Sequence, residues 1–132
     1  MIKIKQLDDN INIEGKRVLL RVDCNVPIND GSITETSRIK KVLPTIEFLI
    51  KKKAKIIIIS HLGRPNGKTV PELTLKPIAK KLSDYLNQDV DFFDKSIGKN
   101  VVEKSKKISE GKILLLENLR FYKEEEENSE SF

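Results

Sequence analysis

Four runs of nearly unbroken apolar residues punctuate this chain: "RVLLRV" (Arg17 to Val22), "KIIIIS" (Lys55 to Ser60), "DVDFF" (Asp89 to Phe93) and "KILLLE" (Lys112 to Glu117). Each is short enough for a strand, and their solid apolar character predicts burial on both faces. Between them the period changes. Ile39, Val42, Leu43, Ile46, Leu49 and Ile50 recur at helical spacing and form one apolar stripe. Pro44 falls within that stripe, which predicts a kink or a late helix start. A second helix is expected over Leu75 to Leu86, with Ile78, Leu82 and Leu86 in register and Pro77 in the first turn. A weaker third covers roughly Asn100 to Lys107. Strand–helix–strand alternation of this kind predicts an α/β fold, a parallel sheet between helical layers in a three-layer α/β/α arrangement. The acidic run "KEEEENSE" (Lys123 to Glu130) reads as a solvated loop, and Ser129 or Ser131 is placed to cap a new helix. An ending on a helix-start signal suggests a piece of a longer protein.

Length and composition narrow the class. A chain of 132 residues, 38% hydrophobic and 34% charged, fits one folded domain rather than two or a disordered segment. Its apolar runs are too short to span a bilayer. The N-terminal "MIKIKQLDDN" has no apolar signal-peptide core, and one cysteine, Cys24, excludes an internal disulfide framework. The expected location is therefore cytoplasmic, with no membrane partner. A net charge of +5 raises the question of nucleic acid, but its distribution argues against that partner. Residues 1–60 hold 12 Lys and Arg against 7 Asp and Glu, whereas residues 61–132 hold 13 of each. No basic stretch interleaved with aromatics tracks a phosphate backbone. "KKKAK" (Lys51 to Lys55) suits the polar C-terminal end of a helix.

The stretch "IIIISHLGRPNGKT" (Ile56 to Thr69) superficially suggests a nucleotide-binding P-loop. Three features oppose it. That loop needs four residues between its first glycine and the Gly-Lys pair, and here three separate Gly63 from Gly67. Pro65 removes an N–H from any phosphate cradle. "VPELTLKP" then delays the helix that should begin at once.

The arginines point to a different anion. Twenty lysines serve as the default cation, and there are only five arginines: Arg17, Arg21, Arg38, Arg64 and Arg120. Guanidinium alone offers a planar fork for carboxylate or phosphate, so these positions are informative. Arg64 and Arg120 each follow the C-terminal end of a predicted strand, as do Asp23, Asn25 and His61. Arg38 lies in the first turn of the first helix. In open parallel sheets ligands bind outside the carboxyl ends of the strands, so six side chains are directed to one rim. Singly, His61 reads as a structural histidine, Arg120 as a surface ion pair and Asp23 as a turn residue. Their convergence favours a pocket for a small polyanion. No metal site is expected.

The same residues carry a resemblance. "RVDCNVP" (Arg21 to Pro27), "SRIKKVLPTI" (Ser37 to Ile46), "SHLGRPNG" (Ser60 to Gly67) and "LLENLRFYKEEE" (Leu115 to Glu126) resemble, in order and spacing, successive signatures of the N-terminal lobe of phosphoglycerate kinases. The resemblance implies a Rossmann-like but incomplete N-terminal lobe over residues 1–132, with strand order 3-4-2-1 for the strands present and an open edge at the strand leading to Asp23. It implies reversible phosphoryl transfer between 1,3-bisphosphoglycerate and ADP, giving 3-phosphoglycerate and ATP. Asp23 and Asn25 would hold the glycerate's hydroxyl and carboxyl end. His61, Arg64 and Arg120 would clamp the unreacted phosphate, with the backbone at Cys24, Leu62 and Gly63 nearby. Arg38 would be the catalytic residue, stabilising charge at the transferring group. Charge-assisted bonds of this kind contribute roughly 1.5–3 kcal/mol each. The partners implied are 3-phosphoglycerate or 1,3-bisphosphoglycerate, and the intact enzyme would be a monomer. The cofactor Mg-ATP or ADP would bind a C-terminal lobe absent from this sequence.

Two departures from the family pattern qualify that expectation. Cys24 replaces the usual phenylalanine between the Asp and the Asn, and as a buried free cysteine it is expected to pack as a small hydrophobe. The nucleotide lobe, the later strands of the N-terminal lobe, a further phosphate-binding arginine and the catalytic lysine are all missing, so this piece alone is expected to be inactive. The competing expectation is a stand-alone module that binds small anions or a partner on the same fold.

Overall fold

The computed structural model describes residues 12–23, 28–29, 32–33 and 36–122. The expectations for Cys24, Asn25 and the acidic stretch from Lys123 onward, with its caps at Ser129 or Ser131, fall outside those residues. Numbered along the chain, β1 (Arg17–Arg21), β4 (Lys55–Ile59), β5 (Val90–Phe93) and β6 (Ile113–Leu116) form one sheet in the order β1-β4-β6-β5. All three pairings are parallel. That is the order 3-4-2-1 when only the four sheet strands are counted. A short antiparallel pair, β2 (Ile28–Asn29) and β3 (Ser32–Ile33), precedes the first helix. Its sequence signal, an Asp-Gly pair at 30 and 31, is a favoured two-residue hairpin connection that the apolar-run reading passes over.

Burial separates the strands by position in the sheet. All four residues of β6 are buried, and β4 is buried through its three central residues, as their solid isoleucine and leucine runs predict. The expectation that "RVLLRV" and "DVDFF" are buried on both faces is overturned; β5, at the opposite edge, has no fully buried residue and Asp91 is exposed. β1 alternates between exposed and half-buried positions, and Leu19 is 64% exposed. Among the described residues β1 pairs only with β4, and an edge strand lacks the second neighbour that would cover its outer face.

The helices cover the two faces unequally. On one side, α1 (Ser37–Lys51) and α2 (Lys76–Leu86) pack Ile39, Ile46, Leu49, Ile78 and Leu82 onto Ile56, Ile58, Ile113 and Leu115. On the other, α3 (Lys99–Lys106) brings Val101 against Ile57, Leu114 and Leu116. The odd and even residues of β4 and β6 thus point into different layers, as the two-residue period of a strand requires. Helices on both faces of a parallel sheet give the α/β architecture expected.

Pro44 does not delay α1. The helix begins at Ser37 and includes Pro44 in its interior. A proline there removes one hydrogen bond and costs about 3 kcal/mol in isolation. Here Pro44 and Lys40, whose carbonyl loses its donor, both lie on the exposed side, so water can satisfy that carbonyl. Burial of Ile39, Ile46 and Leu49 on the opposite side, at roughly 1.5–3 kcal/mol per side chain, outweighs the local penalty.

Candidate anion site at the C-terminal edge of the sheet

Because the strands are parallel, the residues that follow β1, β4 and β6 emerge at one edge, and hydrogen bonds join these three exits directly. The Val22 N–H donates to the Ile59 carbonyl at 3.0 Å. The Ser60 hydroxyl donates to the Val22 carbonyl at 2.7 Å, and the Leu119 N–H donates to the Ser60 carbonyl at 3.0 Å. Further out, the Gly67 N–H donates to the Arg120 carbonyl at 3.1 Å, which ties the tip of the loop after β4 to the short 3-10 turn after β6 (Leu119–Phe121). The structure therefore places Asp23, His61, Arg64 and Arg120 on adjoining exits. Arg38 joins them from the first turn of α1, where its Nη1 lies 3.3 Å from Asp23 Oδ1.

Asn25 and Cys24, predicted for the same rim, lie outside the described residues. Arg64 is exposed, His61 and Arg120 are half-buried, and the Arg38 and Asp23 side chains are 49% and 62% exposed. An ion pair this open contributes at most about 1 kcal/mol. It sets the Arg38 guanidinium beside the residue that follows β1.

The loop carrying Arg64 has a backbone made for this place. Gly63 has φ +63°, and a Cβ built on it would come within 2.8 Å of Leu73 Cδ2. Both the left-handed conformation and the contact call for glycine. Asn66 and Gly67 are also left-handed, at φ 58° and 74°. No helix follows: a 3-10 turn spans Pro71–Leu73, and α2 starts at Lys76. Phosphate binding by a P-loop requires the helix to open directly after the Lys-Thr pair, so this loop does not fit a nucleotide triphosphate. A groove beside α2, lined by Thr74, Lys76, Lys80, Lys81 and Asp84 among others, contains none of the predicted rim residues. Its cations are lysines on one helix surface, without the guanidinium fork found at the rim. Among the described residues, no group of three metal-ligating side chains is assembled, and no helix is long and apolar enough to cross a membrane.

Beneath the charged rim lies a polar layer that the apolar-run reading does not single out. Glu117 is 7% exposed and accepts from Thr74 Oγ1 at 2.7 Å, the Leu75 N–H at 2.9 Å and the Asn118 N–H at 2.8 Å. Leu75 immediately precedes α2, so the carboxylate also faces the positive end of that helix. Asn118 has no exposed surface, and its side chain makes four hydrogen bonds. Its Nδ2 donates to the carbonyls of Leu62 and Leu73 at 2.8 and 2.9 Å. Its Oδ1 accepts from the N–H groups of Leu62 and Arg120 at 3.3 and 3.0 Å. The Ser96 hydroxyl donates to the Glu117 carbonyl, and the Ser96 N–H donates to the Tyr122 hydroxyl at 2.9 Å, adding the exit of β5 to the seam. The sequence signal was present: Ser60 ends an isoleucine run, and Glu117 and Asn118 end a leucine run, so polar side chains are set hard against the core.

Comparison with known proteins bears on the whole arrangement. The family model described as phosphoglycerate kinase matches residues 8–132. The chain belongs to the phosphoglycerate kinase family. It is 52% identical over 130 residues to the phosphoglycerate kinase of Finegoldia magna, covering 97% of this chain and 33% of that protein. It is 50% identical over 131 residues to that of Leptospira biflexa, covering 99% and 33%. The crystal structure of phosphoglycerate kinase from Pyrococcus horikoshii superposes with a TM-score of 0.80 at 40% identity, over 89% of this chain and 28% of that one. The structure of the Coxiella burnetii enzyme gives 0.73 at 39%, over 86% and 28%. The chain thus spans about a third of the length of the curated phosphoglycerate kinases it matches.

Proposed function

We propose that this chain is the acid-substrate half of a phosphoglycerate kinase, an N-terminal lobe that binds 3-phosphoglycerate or 1,3-bisphosphoglycerate at the C-terminal edge of its sheet. The observation that carries the reading is the joining of three parallel strand exits that bear Asp23, His61, Arg64 and Arg120, with Arg38 paired to Asp23 across them. Family membership supports the choice of polyanion. In this reading Asp23 and Asn25 orient the glycerate hydroxyl and carboxyl end. His61, Arg64 and Arg120 hold the phosphate that does not react, and the backbone at Leu62 and Gly63 borders it.

In the reaction, a phosphoryl group leaves the carboxyl oxygen of 1,3-bisphosphoglycerate for ADP, releasing the carboxylate of 3-phosphoglycerate. Phosphoryl transfer depends mainly on positioning and on cations placed where charge develops. Arg38 is the rim cation nearest the Asp23 end, so its guanidinium stabilises the emerging carboxylate and the group in transit. The loop after β4 does not fit Mg-ATP or ADP, and no step is assigned to nucleotide within this chain. The nucleotide binds on a second lobe, and closure of two half-sites brings the reactants together. The chain alone is then without turnover, and its site is a water-exposed, cytosolic one.

An NMR titration tests the reading, with 3-phosphoglycerate and, separately, Mg-ATP, at low ionic strength so that anion binding is not screened. Saturable shifts around Asp23, His61 and Arg64 with 3-phosphoglycerate alone, lost in Arg64→Ala, are the expected result. Absence of any response to 3-phosphoglycerate would remove the acid-substrate site from this chain. Saturable Mg-ATP binding centred on Gly63 to Thr69 would replace it with a nucleotide site.

A further inference from the structure

We propose that Asn118 is the positioning residue of the anion site, its carboxamide setting the spacing between the arginine that follows β4 and the arginine that follows β6. The inference rests on the proposed anion site and adds a residue that touches no ligand. With no exposed surface, Asn118 cannot meet a substrate. It acts through what it holds.

An asparagine side chain offers two N–H donors and two acceptor lone pairs, and here all four are used on backbone groups of three separate segments. Leu62 is gripped at both its N–H and its carbonyl, two residues before Arg64. Arg120 is gripped at its N–H, within the 3-10 turn that Asn118 caps. Leu73 is gripped at its carbonyl, and its side chain packs where a Cβ on Gly63 would go. One planar group therefore fixes the roots of Arg64 and Arg120 relative to each other and seats the segment that supports the glycine turn between them. The outer bond from Gly67 to the Arg120 carbonyl closes the same ring from the solvent side.

A clamp built from two guanidinium groups works only at the span of one phosphate. A guanidinium moved out of reach forfeits a charge-assisted hydrogen bond, which weakens binding roughly tenfold to a hundredfold. Ser60 links β4 to β1, and Glu117 links β6 to the start of α2. Asn118 reaches the backbone of both loops with one group, which gives it a part in recognition as well as in folding.

The test uses the full 132-residue chain and 3-phosphoglycerate as the probe. Asn118→Asp and Asn118→Ser are compared with Ile46→Val, a core change far along the chain that lowers stability without touching the rim. All affinities are measured under conditions where each variant is folded by its NMR spectrum. The expected result is an affinity roughly tenfold to a hundredfold weaker for the Asn118 variants and unchanged for Ile46→Val. In addition, Arg64→Ala should cost far less in the Asn118→Ser background than in the parent, because the paired clamp is already lost. Parent-like affinity in a folded Asn118 variant, or a full Arg64 effect in that background, would overturn the proposal while leaving the anion site standing. A parent that does not bind 3-phosphoglycerate overturns the site itself and this proposal with it. If neither Asn118 variant folds, the parent decides. The Asn118 side-chain amide and the Leu62 and Arg120 N–H signals should follow one common titration curve, and independent curves would reject the clamp.

Discussion

Asn118 and Arg64 stand at the same edge of the same sheet, one with no exposed surface and four side-chain hydrogen bonds, the other in solvent. Ser60, Glu117 and Asn118 form the lower level, where the side chains are buried and a lost bond leaves a partner largely desolvated. Asp23, Arg38 and Arg64 form the upper level, where water replaces a lost partner and charges are screened. The lower level is therefore where this edge stores stability, and the upper level is where it can afford to keep cations ready for a ligand. Substitutions at the two levels should separate accordingly.

The largest effect is expected at Asn118→Leu, which keeps the branched outline, adds bulk and deserts four backbone groups. Even with partial rescue by water it should lower stability by about 3–5 kcal/mol, read from urea unfolding. A loss under about 1 kcal/mol would show that the seam is not dry and would collapse the distinction between levels. Gly63→Ala comes next, at about 1–3 kcal/mol from the left-handed backbone and the clash with Leu73. In a Leu73→Ala background the steric part disappears and the added cost should fall to about 1–2 kcal/mol, the conformational part alone. An equal cost in both backgrounds would mean that the contact is relieved by movement of Leu73. Ser60→Ala removes the bond to the Val22 carbonyl and should cost about 1–2 kcal/mol. Arg38→Ala and Arg64→Ala sit at the bottom of the stability scale, within about 0.5 kcal/mol of the parent. They should nonetheless abolish the response to 3-phosphoglycerate. If either arginine variant unfolds the chain, the upper level is structural and the comparison fails.

Much of this was legible along the chain, for reasons that differ from element to element. β4 and β6 are central strands, and their unbroken Ile and Leu runs announced them because both faces must be apolar. β1 looks the same in sequence, yet Leu19 is exposed. An apolar run records what a strand is able to bury, and position in the sheet decides what it does bury. The stripe from Ile39 to Ile50 outlined α1 despite Pro44, because the proline falls on the exposed side where its missing bond is cheaply replaced. The rim cations were found because arginine is scarce in a lysine-rich chain and because parallel strands deliver their exits to one edge. The hairpin of β2 and β3 was missed, since two-residue strands carry no periodicity.

The sequence by itself determined the four strands of the sheet and its three helices, that the sheet is parallel, and which charged residues emerge at one edge. These follow from local periodicity, loop spacing and the chain direction, all of which are written in consecutive residues. Only the tertiary structure decided how far the edge position of β1 leaves Leu19 exposed and that Arg38 meets Asp23. It alone showed that Asn118 binds Leu62, Leu73 and Arg120 together. Those contacts join positions as far as 56 residues apart, and a hydrogen bond with a tolerance of a few tenths of an ångström depends on the packed distance between segments, which no run of neighbouring residues encodes.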